Sequence, residues 1–270
     1  MKTIASEELK QQKNKTFTLT VNLEKENINH EYDHLLQHAQ AEFESKGFRK
    51  GKAPIEYVKS QLSEAQVIEE IISHLLSHIY EEKIKQYQLK PIIQPQIKVL
   101  NPPLTLDKDW QVEITGCELP EIKLDPQYSD QVKKINLSKE NDEEKLNQTI
   151  EILIKNSTVD VPDILIQADI ENKLSQLVDQ TKEAGLTVSQ YLKNRHQTLE
   201  EHRQELATKI KSEWITNLAI DAIAKDQKIE IKETEVKEIT DKNPSLQSNI
   251  SLVYYLLTQR KVFDYLKNIS

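Results

Sequence analysis

Glycine is scarce in this 270-residue chain: there are four, beside one cysteine, one methionine, two tryptophans and four phenylalanines. So few glycines disfavour folds that spend several on positive-φ turns, among them Rossmann units, Gly-rich kinase loops and most compact β-barrels. A single cysteine, Cys117, excludes an internal disulfide framework and any cysteine-based zinc or iron–sulfur site, and it fits a reducing compartment. Long apolar runs are missing as well, so no stretch is a candidate bilayer span and no membrane partner is expected. The opening MKTIASEELKQQKNK turns polar within a few residues and has neither an apolar core nor a small-residue cleavage site, so the expected location is cytoplasmic. A net charge of −8, from 36 basic and 44 acidic residues, argues against nucleic-acid contact over the whole surface but leaves room for a local basic spot.

What the chain does have is periodicity. Phe17, Leu19, Val21 and Leu23 alternate with Thr16, Thr18, Thr20 and Asn22, the period-2 pattern of a strand with one buried face. A polar turn at Lys10 to Asn14 lets residues 2–7 pair with it as a hairpin. Tyr32, Leu35, Leu36, Ala39 and Phe43 then share one face of a helix running from Ile28 to Ser45. Pro54 opens a short helix carrying Ile55, Val58 and Leu62, and a longer one from Glu64 to Tyr87 bears Val67, Ile68, Ile71, Ile72, Leu75, Leu76 and Ile79. Strand patterns return at 92–100 and 109–119. Residues 1–119 therefore read as an α+β amino-terminal domain, an antiparallel sheet with helices on one side.

Residues 120–138, with two prolines and few apolar pairs, suit an extended linker. Residues 139–270 read as an all-α carboxy-terminal domain. Its expected helices run from an N-cap at Ser138 to Asn156, from Pro162 to Gly185, from Leu199 to Lys225, over 234–242, and from Gln247 to the end.

Two of the four glycines fall in one octapeptide, Gly47-Phe48-Arg49-Lys50-Gly51-Lys52-Ala53-Pro54. With Lys46, this loop concentrates four cations with no acid among them, and Phe48 has little opportunity to reach the core from so tight a turn. Arg forks to phosphate, Lys supplies point charge and an aromatic ring stacks or fills a pocket, which together suit a ribonucleoprotein surface. An ordinary solvated loop with Phe48 folded under it is the competing reading. A nucleotide-binding P-loop fails because three residues rather than four separate the glycines and Ala53 stands where Ser or Thr would hold magnesium. His30-Glu31-Tyr32-Asp33-His34 satisfies the spacing of a zinc-peptidase helix but lies at a helix start, where acids are expected anyway, and no third ligand accompanies it. No metal, cofactor or catalytic residue is expected.

The octapeptide resembles the ribosome-docking signature of the trigger factor family, bacterial chaperones of the nascent-chain exit site. The β-α-loop-α-α-β order around it is similar to that family's amino-terminal domain. Val159-Asp160-Val161-Pro162-Asp163-Ile164-Leu165-Ile166, the run Ala219 to Lys237 and the helix around Tyr254 to Lys267 resemble its carboxy-terminal domain. The resemblance implies a ribosome-binding site at Gly47, Phe48, Arg49, Lys50, Gly51, Lys52 and Pro54, docking on the large ribosomal subunit through an exit-site protein and ribosomal RNA. It also implies a helical domain with arms that shields nascent or unfolded polypeptides without ATP, and it allows a homodimer off the ribosome. Tyr254, Tyr255, Leu256 and Leu257 crowd more apolar surface onto one helix than a single buried stripe uses, and are the candidate client contacts. One departure matters: family members usually carry an FK506-binding-type prolyl isomerase domain between the two parts. Here the helix containing Glu143 to Ile154 runs almost directly into Val159. That argues against isomerase activity and leaves an isomerase-type folding factor and a ribosome-free helical holdase or assembly scaffold as the alternatives.

Overall fold

A computed structural model describes residues 8–45 and 47–269, and it divides into two compact units, Met1–Leu119 and Pro120–Ser270. The first unit contains β1 (Glu8–Gln11), β2 (Thr16–Leu23), α1 (Lys25–Glu42), α2 (Ile55–Gln61), α3 (Glu64–Gln86), β3 (Gln96–Val99) and β4 (Trp110–Cys117). Its four strands form an antiparallel sheet in the order β1-β2-β4-β3. Residues 2–7, expected as the hairpin partner of β2, lie outside the described residues; the strand that pairs with β2 is Glu8–Gln11.

Register explains the core. Leu19, Val21 and Leu23 stand opposite Ile114, Val112 and Trp110, while Thr18, Thr20 and Asn22 stand opposite Thr115, Glu113 and Gln111. One face is therefore apolar, and α1 and α3 cover it with Ile28, Ile71, Leu76 and Ile79. The fourth apolar row pairs the largest side chain of β2, Phe17, with a residue that has none, Gly116. The Trp110 ring is fully buried, and its indole N–H donates to the Thr105 carbonyl at 2.8 Å, so its one polar atom is satisfied. Helix α1 starts at Lys25, three residues before the expected Ile28, because Asp109 from the β3–β4 connection accepts the Lys25 backbone N–H at 2.8 Å.

The second unit contains β5 (Lys123–Leu124), α4 (Tyr128–Asn136), α5 (Asp142–Lys155), β6 (Ser157–Thr158), α6 (Asp163–Glu183), α7 (Val188–Asn194), α8 (Leu199–Asp226), α9 (Glu233–Lys242), a 3-10 turn at Pro244–Leu246 and α10 (Ile250–Lys267). Segment 120–138 is not the extended linker that its prolines suggest. Residues 128–136 form α4, which buries Tyr128 and Val132 against Leu153, Ile220 and Ile223. Nor is Ser138 the cap of the next helix: Asn141 is, its side-chain oxygen accepting the Glu144 N–H at 2.9 Å.

Apolar contacts in this unit gather in separate clusters. The second half of α8 packs with α4, α5 and α10 around Ala219, Ile220, Ile223, Val262 and Leu266. Its first half packs with α6 through Ile166, Ile170 and Ile210. A third cluster joins Val236, Val253 and Leu257 across α9 and α10. Helix α8 runs through the first two, and Thr198 and Glu201 fix its start by bonding each other's backbone N–H groups.

Candidate functional site

The octapeptide lies in the connection between α1 and α2, and its shape is held from below. The Phe48 N–H donates to the Ser45 carbonyl at 3.1 Å, closing a tight hairpin-like turn, and the Lys52 N–H donates to the Arg49 carbonyl at 2.9 Å. The Gly51 N–H reaches the Phe43 carbonyl at 3.1 Å, and the Gln40 amide donates to the Ala53 carbonyl at 2.8 Å. Gly47 and Gly51 both sit at positive φ, +104° and +72°, the backbone region L side chains rarely enter. At Gly51 a Cβ would also press on the Ala41 carbonyl oxygen at 3.2 Å, so this glycine answers both a torsional and a steric demand. Two scarce glycines are thus spent on one loop. Ala53, fully buried, and Val58 anchor its far end, and Pro54 precedes the first turn of α2 as expected.

Arg49 and Lys52 are exposed, and Arg49 has no ion-pair partner among the described residues. Lys50 differs: its ammonium pairs with Glu42 at 2.6 Å, and that bonded cation holds the Glu42 carboxyl below its ordinary range. Both side chains are more than half exposed, so the pair is easily exchanged for another anion. Lys46 lies outside the described residues.

Phe48 stays out of the main core, as expected, but its ring is not fully solvated either. It is half-buried, 5.1 Å from the ring of Tyr57 on α2, and Tyr57 in turn meets Phe43 edge-on at 5.9 Å. The three rings form a small aromatic cluster apart from the residues of the unit's main core. Phe48 is therefore sheltered by Tyr57 and still partly open to solvent. Sequence reasoning had no way to place Tyr57 here, because its contact depends on how α2 folds back beneath the loop.

The zinc-like His30-Glu31-Tyr32-Asp33-His34 pattern resolves into helix packing. Glu31 points at α3, where its carboxylate meets His74 Nδ1 at 2.6 Å, and His34 stands off at 3.8 Å. Cys117 is fully buried, and burial pushes its thiol up to about 11, which leaves it protonated and unreactive at neutral pH.

In the second unit the four candidate client contacts divide. Tyr254, Tyr255 and Leu256 are 38%, 39% and 47% exposed, and Ile250 and Leu252 extend the apolar surface of α10. Leu257 is 7% exposed and packs against Val236 and Val253, so it belongs to the core and not to the surface. Helical phase accounts for the split, since Val253 and Leu257 lie four residues apart on one face. The Tyr255 hydroxyl donates to Asn217 Oδ1 at 2.9 Å and accepts from the Gln259 amide at 2.6 Å, which pins its ring against α8 with one side open.

Comparison with known proteins agrees with this geometry. The family model "Bacterial trigger factor protein (TF)" matches residues 5–153, and the model of the trigger factor C-terminus matches 123–269, so the two overlap and leave no interval between them. Trigger factor of Caldanaerobacter subterraneus subsp. tengcongensis is 30% identical over 118 residues, covering 44% of this chain and 27% of that protein. Trigger factor of Fusobacterium nucleatum is 25% identical over 203 residues, 67% of this chain and 44% of that protein. The chain thus spans less than half the length of these relatives. A solved structure described as "Promiscuous Substrate Recognition in Folding and Assembly Activities of the Trigger Factor Chaperone" superposes over 97% of this chain and 100% of its own, with a TM-score of 0.61 and 14% identity, a likeness of fold. With family models covering both units, the chain belongs to the bacterial trigger factor family.

Proposed function

We propose that this protein is an ATP-independent, ribosome-associated folding chaperone of the cytoplasm, docking on the large subunit near the nascent-chain exit and shielding emerging polypeptides. The observation that carries the reading is the α1–α2 loop: a chain of net charge −8 presents there a guanidinium with no ion pair among the described residues and a half-open phenyl ring, on a backbone held by four hydrogen bonds. In this reading Arg49 and Lys52 meet ribosomal RNA phosphates, Lys50 exchanges Glu42 for one, and Phe48 fills an apolar gap on the exit-site protein.

The client-binding half rests on α10. Tyr254, Tyr255 and Leu256, with Ile250 and Leu252, offer apolar area edged by polar groups. Covering a few hundred Å² of such surface contributes about 25 cal/mol per Å², and association entropy cancels much of it. Binding is then weak and exchangeable, and release needs no nucleotide. The overlap of the two family models supports reading the role as that of a holder.

Co-sedimentation with vacant ribosomes tests the reading. The chain is expected to pellet with ribosomes at low salt, with two or three phosphate contacts making the affinity fall by about ten- to fortyfold between about 50 and 200 mM salt. A chain that stays in the supernatant at low salt sinks the ribosomal half of the proposal and leaves a ribosome-free holdase.

A further inference from the structure

We propose that Tyr57, three residues beyond the octapeptide, is a positioning residue of the docking site: its ring is the platform that sets the orientation of Phe48. This inference rests on the ribosome-docking reading and deepens it.

Three observations carry it. Among the described residues Phe48 has no partner ring in the main core of the unit; its aromatic contact is Tyr57, at 5.1 Å and a 45° tilt. Tyr57 is itself fixed from the other side, edge-on against Phe43 at 5.9 Å, the residue at which α1 ends and whose carbonyl accepts the Gly51 N–H. One ring thus ties the aromatic at the tip of the loop to the backbone at its base. Third, Tyr57 is 40% exposed and its hydroxyl makes no hydrogen bond among the described residues, so the position serves neither burial nor a polar network. A tyrosine half in water, with an unbonded hydroxyl and two aromatic neighbours, is well used if it presents one of them.

The consequence is energetic preorganisation. The loop backbone is already held by its hydrogen bonds, so the freedom left at the tip is that of the half-exposed Phe48 side chain. Without a platform the Phe48 ring samples several rotamers, and docking must fix one of them at an entropic cost. With the platform that ordering is complete before the ribosome arrives.

A double-mutant cycle on ribosome affinity tests this, using the full chain and vacant ribosomes. Tyr57→Ala is expected to weaken binding by about fivefold, in the range of one lost aromatic pair. Tyr57→Phe, which keeps the ring, is expected to bind like the wild type. In a Phe48→Ala background, Tyr57→Ala is expected to cost nothing further, because the ring it positioned is gone. Equal losses from Tyr57→Ala in both backgrounds, or wild-type affinity of Tyr57→Ala, overturn the inference. The two levels of the argument separate cleanly. If Phe48→Ala also binds like the wild type, the docking role of Phe48 fails; if Phe48→Ala binds weakly and Tyr57→Ala does not, only the platform fails. Thermal melts of each variant, expected within a few degrees of the wild type, exclude general unfolding as the cause.

Discussion

The Phe48→Ala, Arg49→Ala, Lys50→Ala triple variant is expected to lose at least about a hundredfold in ribosome affinity, since each charge-assisted contact contributes about 1.5–3 kcal/mol and a factor of ten needs about 1.4. It is expected to melt like the wild type. The reason lies in where those side chains are spent. Arg49 makes no ion pair among the described residues, Lys50 holds a surface pair with Glu42, and Phe48 rests on a ring outside the main core. The loop backbone, by contrast, is set by Gly47, Gly51, Gln40 and buried Ala53, all retained in the variant. On the docking proposal, function and stability are carried by different residues of one loop. Client holding by α10 should survive, so the variant should still suppress aggregation of an unfolded protein while failing to pellet with ribosomes. A triple variant that pellets normally refutes the docking assignment.

The largest effect on stability is expected from Gly116→Val. A Cβ there would fall 2.5 Å from Cζ of Phe17 and within 3.1 Å of two further ring carbons. Phe17 is 1% exposed and stands directly opposite Gly116 in the β2·β4 pair, so the ring has nowhere to retreat within the row. Either it leaves the core, exposing most of its apolar surface, or the two central strands separate. Overpacking of this kind costs about 3 kcal/mol. For a unit of this size that lowers Tm by roughly 10–20 °C in the transition of the first unit, read by circular dichroism. The second unit's helices are expected to melt unchanged. A wild-type melting profile would mean that the strand register described above is wrong at this end of the sheet.

Much of this architecture can be read from residue order alone, and the exceptions have physical causes. Strand β2 and helices α3, α6 and α8 are long enough for several turns of periodic apolar residues, and their predicted bounds agree with the structure to within a few positions. Helix α4 is nine residues with two buried side chains, Tyr128 and Val132, too few to show a period, and Pro120 and Pro126 before it favour an extended reading. Helix α7 went unpredicted although a signal was present: Thr187 and Gln190 form a capping box three residues apart. For the site, the loop's glycines and cations are visible in sequence because composition marks them. The Lys50–Glu42 pair and the Phe48–Tyr57 stack are not, since each joins residues brought together only when α1 ends and α2 turns back. On α10, phase counted from Val253 would have assigned Leu257 to the core; apolar crowding alone does not distinguish it from Tyr254 and Leu256.

The central claim, that the Phe48 tip touches the ribosome, is tested most directly by site-specific photo-crosslinking. With a benzoyl-phenylalanine at position 48, irradiation of the chain on vacant ribosomes is expected to give adducts to large-subunit protein or RNA that vanish when salt releases the chain. Co-sedimentation of that labelled chain without any adduct from position 48 would contradict the account, because some other surface would then be holding it to the ribosome.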